Sequence, residues 1–218
     1  MKNKIVVYDF ETSGVDPNSC QIFQIAAVPI HSQTLEIQSW DSFNHYVRPT
    51  DFDVLEEDNL KWHANNKNIT VDEFLATLRA APTAEVVMND FVQYINKFNW
   101  KQNKWTAPIR AGHNILRFDD IILDRVCKSM KLPGLDLFNQ RDFIDTMHCS
   151  FLWFESLPEP KKYNMDDLRV FFGFDETSKA GAHDALQDCI DVAKLAVRFI
   201  KLTRAIAPKV QFKGALSV

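Results

Sequence analysis

The chain has 218 residues, 46% hydrophobic and 12% aromatic, enough apolar material to bury a sizeable core in one globular domain spanning 1–218. No apolar run approaches the roughly 20 residues of a membrane helix, and the opening "MKNKIVVYDFE" meets acids too early for a signal peptide, so the sequence predicts a soluble, cytoplasmic protein with no membrane partner. The net charge of -4 argues against a nucleic-acid partner only if it is evenly spread, because acids gathered around metal ions would leave the rest of the surface nearer neutral, with room for a basic strip facing phosphates.

The first element is a β-rich segment, Lys4 to Phe10, that runs into "VVYDFETSG". Side chains alternate along a strand, so Asp9 and Glu11 project together from the face that carries Ile5 and Val7. Two adjacent anions repel, and burying them demands raised pKa values or a neutralising cation. Taken alone, the pair reads more readily as a solvated turn, with Thr12 and Ser13, ahead of Gly14. Two more β segments follow, Ile22 to Ile30 and Leu35 to Val47. The connections "ETSGVDPNSCQ" and "HSQT" leave no room for a crossover helix, so the three strands form an antiparallel meander, closed by Pro49.

The period then becomes helical over Asp53 to His63, Thr70 to Ala80 and Ala84 to Phe98, with Thr70 and Glu73 spaced as a capping box. The loop "NWKQNKW" interleaves Trp100, Lys101, Lys104 and Trp105; it could stack bases, and reads more simply as an amphipathic connector. A short strand "APIRAG" leads into "HNILRFDD" and a helix near Phe118 to Met130, where Asp119 and Asp120 serve equally well as acids favoured by the helix dipole. A strand around "DFIDTM", a helix from Thr146, another over Met165 to Phe172 and a long one from Asp184 to about Arg204 complete the chain. In "AGAHDALQDC" His183 precedes Asp188 by five residues, and Asp184 is placed to cap the helix. Further along that helix Lys194, Arg198 and Lys201 share a solvated basic face, while Leu195, Phe199 and Leu202 point elsewhere. Helical crossovers imply that the later strands run parallel to the first, with the meander on its other side. The result is a mixed α/β sheet with a switch point at the end of the first strand, where acids from separate segments can converge. Cys20, Cys127, Cys149 and Cys189 form no C-x-x-C pair and read as reduced, mostly buried thiols rather than a zinc site or disulfide framework.

Read together, Asp9 and Glu11 on a strand, Asp119 after a later strand, and His183 with Asp188 opening a C-terminal helix resemble the DEDDh family of 3'-to-5' exonucleases. "NIT", "AGHNILRFDD", "FIDTM" and "GAHDALQDC" each fall where that family has a recognisable segment, and "HNILRFDD" is most similar to the bacterial exonuclease I branch, which digests single-stranded DNA. The chain has the size of the nuclease domain alone. The resemblance implies an RNase H-like fold: a mixed β-sheet, antiparallel meander plus parallel strands, flanked by helices. It implies two divalent cations, Mg2+ or Mn2+, with Asp9 bridging them, Glu11 and Asp188 completing one site, and Asp119 holding the other largely through water. His183 then activates the nucleophilic water, as suits an imidazole titrating near neutrality. Carboxylate oxygens suit such hard cations, which can stabilise both the attacking and the leaving oxygen. Phe10, Thr12, Ser13 and Asn114 are implied contacts of the terminal nucleotide, although Phe10 reads equally as a core residue of the opposite strand face. The expected activity is hydrolysis of single-stranded DNA to nucleoside 5'-monophosphates. The alternatives are RNA trimming of the oligoribonuclease or RNase T type, and a non-catalytic nucleic-acid-binding module attached to a polymerase or another replication protein.

Overall fold

The strand that carries Asp9 and Glu11 sits at the middle of the sheet, buried on both faces. The structure, a computed structural model, describes residues 4–174 and 183–210, so Gly181 and Ala182 of the "GAHDALQDC" segment lie outside the described residues. Five strands, β1 (Ile5–Thr12), β2 (Ile22–Ile30), β3 (Phe43–Tyr46), β4 (Ile109–Gly112) and β5 (Phe143–Asp145), lie in the order β3-β2-β1-β4-β5. β2 is antiparallel to β1 and to β3, whereas β4 runs parallel to β1 and β5 parallel to β4. This is the mixed RNase H-like sheet that the sequence predicts.

Among the described residues seven α-helices flank the sheet. They are α1 (Glu57–Asn66), α2 (Val71–Ala80), α3 (Ala84–Asn96), α4 (Asp119–Ser129), α5 (Thr146–Phe154), α6 (Met165–Phe171) and α7 (Ala185–Ile206). The even positions of β1, Val6, Tyr8 and Phe10, pack with Val87, Met88, Phe91 and Ile95 of α3 and with Ile122, Leu123 and Cys127 of α4. Its odd positions Ile5 and Val7 meet Cys189, Val192, Ala193 and Ala196 of α7, whose small side chains let the helix lie close to the strands. A smaller cluster of Phe23, Leu60, Ala64, Phe74 and Leu78 fastens α1 and α2 to β2.

Local chemistry places the helix starts. Thr70 and Glu73 form the reciprocal capping box ahead of α2, and Thr83, Asp145, Asn164 and Asp184 cap α3, α5, α6 and α7 through their side-chain oxygens.

Three boundaries differ from expectation. β1 continues through Thr12 instead of ending at Phe10, so Asp9, Glu11 and Thr12 belong to the strand rather than to a solvated turn, and Glu11 is only 7% exposed. The segment expected as one strand from Leu35 to Val47 keeps strand pairing only at Phe43–Tyr46, apart from a lone Ile30–Ile37 bridge. Leu35 takes a left-handed φ of 62° to close a turn, and Ser39–Asp41 forms one turn of 3-10 helix, which together break the alternation. α1 starts at Glu57, not Asp53, because the Asp51 carboxylate accepts from Asp53 N at 2.9 Å and holds that stretch in a local turn.

Candidate active site

The acids converge because the two halves of the chain meet at the C-terminal end of β1. Asp9 and Glu11 project from the face covered by α7, and Asp188 stands one residue before Cys189, whose side chain packs beneath that same helix. Asp9, Glu11 and Asp188 each offer a carboxylate oxygen, and the three lie within 4.8 Å of one another.

Asp119 arrives from the other side of β1. β4 pairs with β1 only from Ile5 to Val7, which leaves the Phe10 N–H beyond the ladder, and Asp119 Oδ1 accepts from it at 3.1 Å. The path from β4 is tight: a Cβ on Gly112 would lie 2.7 Å from the Ile115 side chain, and Asn114 takes a left-handed φ of 60° with its N–H donating to Asp145 Oδ1 at 3.1 Å. Asp119 is buried and lies outside the three-carboxylate group. The neighbouring acid has a different task. Asp120 accepts from the buried Tyr8 hydroxyl and from Arg110 Nε, the latter at 2.9 Å, so it ties α4 to the sheet.

Burial and mutual repulsion dominate the electrostatics. The Asp9 carboxyl is held well above its ordinary range by burial first, then by Asp119, Asp188 and Glu11. Burial pushes Glu11 up to about 8, with Asp188 adding to the effect and Lys67 opposing it. Asp119 rises to about 8 through burial, against the hydrogen bond from Phe10 N. Asp188 rises less, to about 6, because Arg169 opposes the burial. Arg169 and Lys67 offset only part of the negative charge of these four carboxyls. Clustered, half-buried oxygen donors without a thiol or imidazole ligand among them fit a hard divalent cation.

His183 sits at the rim. Its φ of 65° is left-handed, its backbone N–H donates to Asp188, and its ring lies against that of Trp62 with centroids 4.4 Å apart. Burial lowers its pKa.

Four further residues carry no clear signal in the sequence. Arg169 of α6 is 2% exposed, and its guanidinium reaches Asp188, Asp191 at 2.9 Å and Asp166 at 3.0 Å. Its partners in α7 are 19 and 22 positions away, so spacing alone cannot reveal the pairing. Lys67 Nζ lies 3.1 Å from Asp184 Oδ2, to which Gln24 also donates at 3.0 Å, and this cation faces Glu11. His63 Nε2 donates to Thr12 O at 2.8 Å, so in the neutral ring Nδ1 carries the lone pair toward Glu11. Burial holds the His63 pKa down at about 4, which makes its 3.8 Å approach to Glu11 a contact rather than an ion pair. His63 does lie on the apolar stripe of α1 with Leu60 and Ala64, a spacing that marks it as buried. The fourth residue, Trp62, borders a cavity of about 380 Å³ beside Glu11.

The implied substrate contacts divide. Phe10 is both core and wall: it packs edge-on to Tyr8 at 5.8 Å and also lines that cavity, as does Thr12. Ser13 and Asn114 do not line it. Ser13 Oγ accepts from Gln21 N at 2.9 Å. The loop holding Trp100 and Trp105 precedes β4, whose first residue bonds to Lys4 O, so it lies at the far end of the sheet from the acids, with Lys101, Lys104 and Arg141 against the indoles. In α7, Lys194 is paired with Asp191, while Arg198 and Lys201 stay exposed, with the Arg198 guanidinium over the rings of Phe172 and Phe174.

Comparison with known proteins follows the same lines. A family model described as an exonuclease, RNase T, matches residues 6–196. No curated protein sequence matches the chain. Among solved structures it resembles cell-death related nuclease 4, with a TM-score of 0.67 at 18% identity over 92% of this chain and 64% of that one. It also resembles the nuclease domain of 3'hExo, a DEDDh family member bound to rAMP, with a TM-score of 0.66 at 19% identity over 92% of both chains. Exonuclease I of E. coli in complex with a dT13 oligonucleotide gives a TM-score of 0.70 at 16% identity over 95% of this chain and 43% of that one. At such identities the likeness is one of fold, and the chain spans under two thirds of the first and third of these proteins.

Proposed function

The chain belongs to the RNase T exonuclease family, whose model spans residues 6–196, and on that premise we propose that it is a 3'-to-5' exonuclease hydrolysing single-stranded DNA to nucleoside 5'-monophosphates. The observation that carries this reading is the convergence of Asp9, Glu11 and Asp188 within 4.8 Å at the end of the central strand. Asp9, Glu11 and Asp188 would hold Mg2+ or Mn2+, and Asp119 would contribute to a second such ion. When bound, such ions supply charge stabilisation at the phosphoryl and leaving oxygens.

The chain's own residues do the rest. His183, whose pKa is lowered by partial burial, accepts the proton of the attacking water. Arg169 fixes one oxygen of Asp188 and so aims the carboxylate. Phe10 and Thr12 border the cavity that would take the terminal nucleotide. A site recessed at a sheet switch point admits one strand end, whereas terminal base pairs of a duplex must first unstack at a cost of a few kcal/mol. Among the described residues no helix is long and apolar enough to cross a membrane. The reading treats residues 1–218 as one nuclease domain and needs no polymerase partner.

RNA trimming is the second reading, favoured by the equal 92% coverage of this chain and of the rAMP-bound 3'hExo domain. A module that binds without cleaving is disfavoured by the intact acid set with His183. The test is to incubate 5'-labelled single-stranded DNA, duplex DNA and RNA of one sequence with the pure protein and Mg2+ or Mn2+, and to compare the ladders. Progressive shortening of labelled single-stranded DNA, faster than of RNA or duplex, is expected. Labelled mononucleotide at the earliest times, or cleavage of a circular single strand, would overturn the reading.

A further inference from the structure

Trp62 touches two things that the reaction needs to bring together. It lines the cavity bordered by Phe10, Thr12, Val15, Asn59 and Phe118, and its ring lies against the His183 imidazole at 4.4 Å with a tilt of 58°. At 44% exposure the indole keeps open surface for a further ring. His183 has a left-handed backbone conformation that disfavours a non-glycine residue, so its placement depends on its contacts: the hydrogen bond from its backbone N–H to Asp188 and the ring of Trp62.

The cavity itself has the chemistry of a nucleobase site. Its walls are largely aromatic and aliphatic, and Asn59, one turn before Trp62 on α1, contributes a buried Oδ1 with no partner among the described residues. A largely apolar slot with two buried, unpartnered acceptors, Asn59 Oδ1 and His63 Nδ1, and the Glu11 carboxyl at its wall suits a flat ring that stacks by its face and donates from its edge, and every nucleobase has such a donor. A sugar phosphate alone would leave the aromatic walls without a partner.

We propose that Trp62 is a positioning residue that couples occupancy of the base cavity to the placement of His183, one face of the α1 surface receiving the terminal base while the indole holds the imidazole toward the scissile end. The inference rests on the exonuclease reading. Binding energy from the base is then expressed as turnover and not only as affinity.

The test compares two oligonucleotides identical except that the 3'-terminal nucleotide carries its base or is an abasic tetrahydrofuran, hydrolysed by the unaltered protein, by Trp62→Ala and by Trp62→Phe. In the unaltered protein loss of the base should lower kcat about tenfold, well within what a 1 Å misplacement of a reacting group can cost. Trp62→Ala should lower kcat on the intact substrate by a similar factor and should then treat both substrates alike, while Trp62→Phe, which keeps a ring, recovers most of the turnover. Independently, the His183 ring resonances, assigned by their absence in His183→Gln, should shift when a nucleoside 5'-monophosphate is added to the unaltered protein and stay still in Trp62→Ala. Losses in kcat that simply multiply, or an effect of Trp62→Ala confined to KM, overturn the coupling. So does a His183 resonance that the mononucleotide leaves unmoved in the unaltered protein, a measurement that no variant needs to fold for. If the unaltered protein hydrolyses no oligonucleotide of either sugar, it is the exonuclease reading that fails, and the coupling falls with it.

Discussion

Arg169→Ala should be the most destabilising single change near the site. The guanidinium spans three carboxylates, and the energetic weight lies in the pair with Asp191, where the two side chains are 2% and 0% exposed. Removing one member of a buried ion pair typically costs about 3–5 kcal/mol, because the other charge is left buried. Asp191 would keep Lys194 at 3.0 Å and Gln187 at 3.0 Å, which places the expected loss at the lower end, about 3 kcal/mol. Asp166 is 68% exposed and adds little. Urea unfolding in EDTA at neutral pH, with an unchanged m-value, measures the loss. The double variant Arg169→Met with Asp191→Leu should recover most of it, since replacing both charges by apolar groups removes the desolvation penalty along with the pair. A loss below about 1 kcal/mol, the range of an exposed pair, or a double variant no more stable than the single one, would refute the reasoning.

Glu11 titrates near 8 in the folded protein against 4.5 ordinarily, so between those values the folded state holds a proton that the unfolded chain has released. Metal-free stability should therefore fall as pH rises through that window, by up to about 1.4 kcal/mol per unit; thermal melts in EDTA that stay flat or rise there would count against it, and added Mg2+ should flatten the dependence. Asp9→Asn and Asp188→Asn should each abolish hydrolysis with the fold retained, and Asp9→Asn should melt no lower than the unaltered protein without metal, because it relieves repulsion; calorimetric metal titration and circular dichroism check both points. His183→Ala should cut turnover on the order of a hundred- to ten-thousandfold while metal binding persists, and loss of metal instead would make His183 a ligand.

The reach of the sequence was set by how local each signal is. Alternation from Ile5 to Glu11 puts both acids on one strand face whatever the rest of the chain does, and Thr70 with Glu73 carries its own cap in four residues. The end of β1 was not legible, because the Thr12 carbonyl is satisfied by His63, 51 positions on. Nor was the break before β3, which depends on the left-handed Leu35 and on a turn at Ser39–Asp41 in which the strand-favouring Trp40 masks the breaking tendency of Asp41. Arg169 in "MDDLRVFF" reads as one more helix cation, and nothing near it in sequence announces Asp188. The pairing of Asp119 and Asp120 shows the same limit: adjacent acids with equal claims at a helix start are separated only by what β1 and Arg110 present to each.

The placement of α7 over the odd face of β1 also bears on how the chain comes off the ribosome. Asp9 and Glu11 emerge with the first strand, yet Asp188 and the Cys189, Val192 and Ala196 cover for that face belong to the last helix. At about 5–20 residues per second, the 177 positions from Glu11 to Asp188 represent on the order of ten to thirty seconds of synthesis. Through that interval the nascent β1 and β2 lack the α7 cover for an apolar face that ends beside two mutually repelling carboxylates. The acid set that the proposed activity needs is therefore complete only after α7 docks.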